Sequence, residues 1–150
     1  PRIMSLRDGS KKMSKSETSD MSRINLTDVS DQIALKIRKA KTDQDPIPED
    51  ISGLASRPEA SNLINIYSSF KECDVQEVLN DFSGKPFSFF KPKLTELIIN
   101  EIKPISKKLT DLLKHHDQID DIMNRGAKKA SEISNPIIDS TFKILGLKNN

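Results

Sequence analysis

The 150-residue sequence holds one cysteine, one tyrosine and two histidines, and it has no long apolar run. A single Cys73 excludes an internal disulfide framework and fits a reducing compartment. Lacking a neighbouring His or second Cys, it reads as a small packing or surface residue and not as a nucleophile. No stretch approaches the roughly 18 uninterrupted apolar residues of a membrane-spanning helix. Neither GxxxxGKS/T nor GxGxxG occurs, which argues against a P-loop or dinucleotide enzyme. His115 and His116 are adjacent, so on a helix they face different ways, and no third ligand is spaced to join them. No metal site is expected there. Apolar residues make up 35% of the chain, fewer than in an average globular domain, and a small core under a wide solvated surface follows. The length allows one ordinary domain. The first residue is Pro1, not an initiator Met, so the chain is expected to be a piece of something longer and its start carries no information on targeting.

Charge is abundant and unevenly spread. The net charge is only +2, yet residues 1–42 hold ten basic and five acidic side chains, a balance of +5. The remaining residues hold 14 basic and 17 acidic, a balance of −3. A basic N-terminal third can meet phosphate, although a solvated Lys-rich loop is the commoner meaning of such a run.

Ile3, Met4 and Leu6 suit the end of a buried strand, stopped by the turn-forming Asp8-Gly9-Ser10. Residues 10–22 have no helical or strand period and read as a mobile surface loop. Beyond it the pattern is helical. Thr27 or Asp28 can cap a helix running to about Ala40, with Ile33, Ile37 and Ala40 on one face and Lys36, Arg38, Lys39 and Lys41 around the rest. Pro46, Pro48 and Gly53 make residues 43–57 a linker. Pro58 suits the first position of a second helix whose apolar stripe is Leu63, Ile66, Tyr67 and Phe70. Asp74 and Glu77 form a capping-box pattern before Val75, Val78, Leu79 and Phe82. After a turn at Gly84-Lys85-Pro86, a long amphipathic helix over about 89–114 carries Phe90, Leu94, Leu97, Ile98, Ile102, Ile105, Leu109 and Leu112, with a kink expected at Pro104. A last helix over about 117–145 uses Ile119, Ile122, Met123, Ile133, Ile137, Phe142 and Leu145, with Pro136 as a second kink and Gly146 as its C-terminal cap. Five helices forming a compact bundle are the expectation, with Tyr67 and the phenylalanines in its core and no aromatic ladder for stacking bases.

One segment carries chemistry. In Lys11-Lys12-Met13-Ser14-Lys15-Ser16, ammonium groups, hydroxyls and backbone N–H groups can gather around a triphosphate, with no side-chain acid before Glu17. Lys is a compact point charge on a flexible stem, able to follow phosphates as a bond breaks. A mobile loop can close over a nucleotide only once it is bound. A solvated basic loop, open to phosphorylation, is the plain alternative for these residues.

The string Lys12-Met13-Ser14-Lys15-Ser16 is the KMSKS signature of class I aminoacyl-tRNA synthetases. With Arg2-Ile3-Met4-Ser5-Leu6 before it and Ile24-Asn25-Leu26-Thr27-Asp28 after it, the chain resembles the bacterial and organellar tryptophanyl-tRNA synthetase family. Lys36-Ile37-Arg38-Lys39-Ala40-Lys41-Thr42-Asp43, Asn62-Leu63-Ile64-Asn65-Ile66-Tyr67, Ile102-Lys103-Pro104-Ile105 and Gly126-Ala127-Lys128-Lys129-Ala130 extend the resemblance over nearly the whole chain. It implies a mainly α chain: residues 1–26 would end a Rossmann-like catalytic domain with its last strand and KMSKS loop, and residues 27–150 would form a helical anticodon-binding domain. Lys12 and Lys15 would be catalytic, stabilising the departing pyrophosphate. Ile3, Lys12, Met13, Ser14, Lys15 and Ser16 would bind ATP, with Met13 against the adenine and Ile3 near it. Tryptophan and ATP would give tryptophanyl-adenylate, and the aminoacyl group would pass to tRNA(Trp), with Mg²⁺ accompanying the ATP.

The family's HIGH-like element is not in this sequence, nor is the tryptophan pocket. The 150 residues alone are therefore expected to be inactive, and a homodimer is expected only for the full-length enzyme. Lys107, Lys108, Lys114, Arg125, Lys128 and Lys129 are candidate tRNA contacts by the resemblance. By their own pattern, interleaved with acids, they look like an ordinary solvated helix face. A non-catalytic helical RNA-binding or interaction module and a relative of the tyrosyl enzyme remain the alternatives. The expected location is the cytoplasm, or else the mitochondrial matrix, with no membrane partner.

Overall fold

In a computed structural model, residues 2–147 can be described. Pro1, where the chain starts, and residues 148–150, the end of the expected helical domain, lie outside them. The chain divides into two compact units, Pro1–Lys107 and Lys108–Asn150.

The core of the first unit is built on four helices: α1 (Ser30–Arg38), α2 (Pro58–Lys71), α3 (Val75–Phe82) and α4 (Phe87–Lys114), the last running on into the second unit. Pro58 opens α2, where its missing N–H costs nothing. Ile33 and Ile37 of α1, Leu63, Ile64 and Ile66 of α2, Val78, Leu79 and Phe82 of α3, and Phe90, Leu94, Ile98 and Ile102 of α4 meet in one buried cluster. Phe90 is its centre: the rings of Tyr67, Phe82 and Phe87 lie 5.4, 4.9 and 6.0 Å from its own. Phe89 meets the cluster only at its edge, its ring 6.4 Å from that of Phe82. It is half exposed, and the Lys85 ammonium sits 5.0 Å from its ring.

Three local expectations are corrected. α1 starts at Ser30 after Val29, whose N–H is taken by the Gln32 side chain at 3.0 Å, and neither Thr27 nor Asp28 caps it. Asp28 is committed elsewhere, to Lys36 and Asn25. Asp74 does stand at the N-cap of α3, but its side chain makes no capping hydrogen bond. The linker is less open than its prolines imply. Ile47 and Leu54 are buried, a 3-10 turn forms at Ile51–Leu54, and Arg57 bonds Asp43 (2.5 and 2.9 Å) and the carbonyls of Asp45 and Pro46, folding residues 43–46 against the start of α2.

Residues 2–6 do not form a strand. They make an isolated antiparallel bridge, Met4 to Lys12, because the backbone groups that a sheet would satisfy are taken within the chain. Ser5 N–H donates to the Lys11 carbonyl (2.8 Å), Met13 N–H to Ile3 (3.1 Å), Leu6 N–H to Ser22 (2.9 Å), and Lys41 N–H to Leu6 (2.8 Å). Leu6 thereby reaches the core of the helical body.

In the second unit, α5 (His116–Leu145) ends at Gly146, whose φ of +68° provides the left-handed cap. It is amphipathic, yet none of its residues is buried. Ile122, Met123, Ile133, Ile137 and Leu145 are exposed, and Ile119 and Phe142 only half-buried. At the end of α4, Ile105 and Leu112 are also exposed. Four of the five expected helices contribute to the buried core of the first unit. An apolar period marks a face suited to burial without specifying what buries it. No described helix is long and apolar enough to cross a membrane.

Candidate functional site

The signature loop springs from a turn that its own sequence builds. The Asp8 carboxylate accepts from the Ser10 hydroxyl (2.6 Å) and amide (3.1 Å) and pairs with the Lys11 ammonium at 3.2 Å. Those contacts, the Ser10 hydroxyl first, hold the Asp8 carboxyl down to about 2. Gly9 is required beneath the turn. A Cβ there would stand 2.4 Å from the Pro58 carbonyl carbon and 2.5 Å from the Glu59 nitrogen, inside the first turn of α2.

Lys11 is therefore spent on Asp8. Lys12 and Lys15 are exposed, and among the described residues neither makes an ion pair. Between them Met13 packs against the edge of the core, as does Ile3, which ties the middle of the motif to the body. Ser14 and Ser16 bond each other through their hydroxyls at 2.9 Å, and the Ser16 N–H also turns to the Ser14 hydroxyl at 3.3 Å. The result is a tight polar bend that carries two exposed ammonium groups and an anchored thioether.

Two buried polar side chains outside the motif hold its ends. Asn62 of α2 works as a substitute strand: its carbonyl oxygen accepts the Met4 N–H (3.0 Å), and its amide donates to the carbonyls of Met4 (2.9 Å) and Ser5 (3.3 Å). Lys36 of α1, expected on the solvated face, is only 2% exposed and bonds Asp28 at 2.6 Å and Asp20 at 2.7 Å. The signal was present in the sequence. Lys36 falls on the same stripe as Ile33, Ile37 and Ala40, three residues beyond the first.

The remaining candidates lie elsewhere. Lys107, Lys108 and Lys114 are exposed along α4, and Arg125, Lys128 and Lys129 line a depression of about 550 Å³ on α5 with Ile122 and Glu132. A larger groove of about 1160 Å³ runs between α1 and α4, lined by Leu35, Arg38, Phe87, Lys91 and Ile99 among others. There Lys91 donates to the Ala40 carbonyl at 2.8 Å, and burial lowers its affinity for a proton. Apart from Arg38, placed on the polar side of α1, periodicity marks none of these residues, since a groove arises from how two helices cross. His115 and His116 are exposed, and among the described residues no three His, Cys, Asp or Glu side chains converge. Burial raises the pKa of the Cys73 thiol.

The family described as tRNA synthetases class I (W and Y) matches residues 1–103, a span that takes in the loop and both of its anchors. The chain belongs to that family. Tryptophan–tRNA ligases resemble it over almost its full length: that of Mesorhizobium japonicum is 46% identical over 146 residues, 97% of this chain and 41% of the relative. That of Caulobacter vibrioides is 47% identical over 145 residues, 97% of this chain and 42% of the relative. The crystal structure of tryptophanyl-tRNA synthetase from Mycoplasma pneumoniae superposes with a TM-score of 0.73 at 25% identity, covering 99% of this chain and 46% of that one. This class I chain thus spans a little over two fifths of the sequence relatives it matches.

Proposed function

We propose that the chain is the signature-loop and helical part of a tryptophan–tRNA ligase, which activates tryptophan with ATP and transfers it to tRNA(Trp). The observation that carries this reading is the pair of exposed, unpaired ammonium groups of Lys12 and Lys15 on a loop rooted in the helical body. As the bond between the α- and β-phosphates breaks, negative charge grows on the departing pyrophosphate, and preorganised cations beside it lower the barrier. Ser14 and Ser16 shape the bend and offer hydroxyls to the nucleotide. Met13 and the Ile3 backbone face the adenine side. Mg²⁺ is proposed to arrive on the ATP phosphates, since the loop offers ammonium groups and not a set of carboxylates. Residues 1–26 act as the end of the catalytic domain and residues 27–150 as the anticodon-binding domain, with Lys107, Lys108, Lys114, Arg125, Lys128 and Lys129 as its RNA-facing cations. The complete enzyme is a homodimer of the cytoplasm, or alternatively of the mitochondrial matrix.

The test joins the N-terminal part of the Caulobacter vibrioides relative to this chain at the matching boundary. Tryptophan-dependent exchange of pyrophosphate into ATP by the chimera, and none by the 150-residue chain alone, is the expected result. Transfer of tryptophan to tRNA(Tyr) in preference to tRNA(Trp) would move the chain to the other amino acid its family covers, since the amino-acid pocket of the chimera comes from the relative. A well-folded chimera with no exchange would favour an RNA-binding module without catalysis.

A further inference from the structure

A buried ammonium needs one carboxylate to be neutralised, and Lys36 has two. Asp28 suffices for charge: it is buried with Lys36, 2.6 Å away, and already accepts the Asn25 N–H at 2.8 Å. Asp20 is different. Its side chain is 55% exposed, so water would serve it well, yet it turns inward to Lys36 at 2.7 Å. It also takes the Arg23 guanidinium at 3.1 Å and the Asn25 side-chain amide at 2.9 Å. Arg23 in turn donates to the Glu17 carbonyl at 2.9 Å, one residue after the signature motif. Five residues that follow the loop's chemistry are thereby fastened to one nitrogen atom of α1. Replacing the whole triad by apolar side chains of the same volume costs little or nothing in stability, whereas removing Lys36 alone leaves Asp28 buried and unpaired, so a buried ion triad is better explained by the register it fixes than by the stability it adds.

From this geometry we infer that Lys36 is a positioning residue for the reaction: through Asp20 it sets the C-terminal root of the signature loop and so where Lys12 and Lys15 stand relative to the ATP phosphates. The inference rests on the function proposed above. Asn62 fixes the opposite root through backbone groups that have no charge to exchange, and the Lys36–Asp20 bond is the one at the solvent boundary. Because catalysis by cations depends on their placement, a displacement of about 1 Å at the root costs on the order of 10- to 100-fold in rate. The Lys36 ammonium and the Asn25 amide hold the Asp20 carboxyl below the usual carboxylate range, so the bond persists at neutral pH.

Lys36→Met and Asp20→Asn, made in the chimera, test it. Asp20→Asn leaves the Lys36–Asp28 pair intact and does not threaten folding. Lys36→Met is expected to lower kcat for ATP–pyrophosphate exchange about 10-fold or more, and Asp20→Asn about 3-fold or more, each with KM for tryptophan unchanged. The double variant should be no slower than Lys36→Met, because both substitutions break the same bond. In the 150-residue chain, amide exchange of residues 20–25 should accelerate in Asp20→Asn while that of α2 stays as it was. Full kcat in Asp20→Asn, or additive losses in the double variant, would overturn the positioning role. If Lys15→Ala also leaves exchange untouched, the proposed function itself fails. If Lys15→Ala removes exchange and the other two do not lower it, only the inference about Lys36 fails.

Discussion

The first unit buries charged and amide side chains, whereas the second leaves isoleucines in water. Lys36, Asp28 and Asn62 are nearly inaccessible in the first, each satisfied by specific partners. Ile133, Ile137 and Met123 stand more than half exposed on α5. Residue type did not decide burial in either place. In the first unit four helices and the N-terminal segment close around one core, and a polar group inside it survives because every bond it needs is supplied. In the second unit an amphipathic helix has no buried residue, and of its apolar period only Ile119 and Phe142 are half-buried.

The contrast is sharpest in stability. Phe90→Ala should cost about 3–5 kcal/mol, because it opens a cavity among Tyr67, Phe82 and Phe87. Ile133→Ala should change stability by no more than about 0.5 kcal/mol, an exposed side chain having no transfer energy to lose. Urea titrations of the two variants check the pair, and comparable losses would mean that α5 is covered in solution.

A smaller effect breaks the seat of the loop. Gly9→Ala should destabilise by about 1–3 kcal/mol, since its Cβ meets backbone atoms of α2 that cannot rotate away. Thermal melting of the variant, with amide exchange at residues 4–13, reads both the loss and its location.

The smallest effect is a titration. Asp8 has a carboxyl held at about 2 against an ordinary value of 3.8, so its folded pKa lies below its unfolded one. The stabilisation it lends the turn is complete above about pH 4 and is lost as pH falls through about 2. Carboxyl-carbon NMR shifts should show that midpoint, and Ser10→Ala should move it up toward the ordinary value.

Much of this was legible in the residues. Pro58 marked the start of α2 and Gly146 the end of α5 because each is suited to its position by backbone geometry alone. The KMSKS string named the loop. What local sequence did not reveal depends on distant partners. Ile3, Met4 and Leu6 read as a strand, but the hydrogen bonds of residues 3–6 go to residues 11, 13, 22, 41 and 62, and only one bridge remains. Asp28 read as a helix cap and Lys36 as surface, because a stripe of apolar residues is easier to see than the one charged residue lying on it. The exposure of α5 had no signal, since periodicity is silent about partners.

The central claim is that Lys12 and Lys15 act on the phosphates of ATP. Single-turnover formation of tryptophanyl-adenylate by the chimera, measured beside tRNA affinity for Lys15→Ala, tests it most directly. The account predicts an adenylate rate at least about 100-fold lower, as expected when a transition-state donor is removed, with tRNA binding nearly unchanged. An unchanged adenylate rate, with weaker binding to every RNA and a shallower salt dependence, would contradict it.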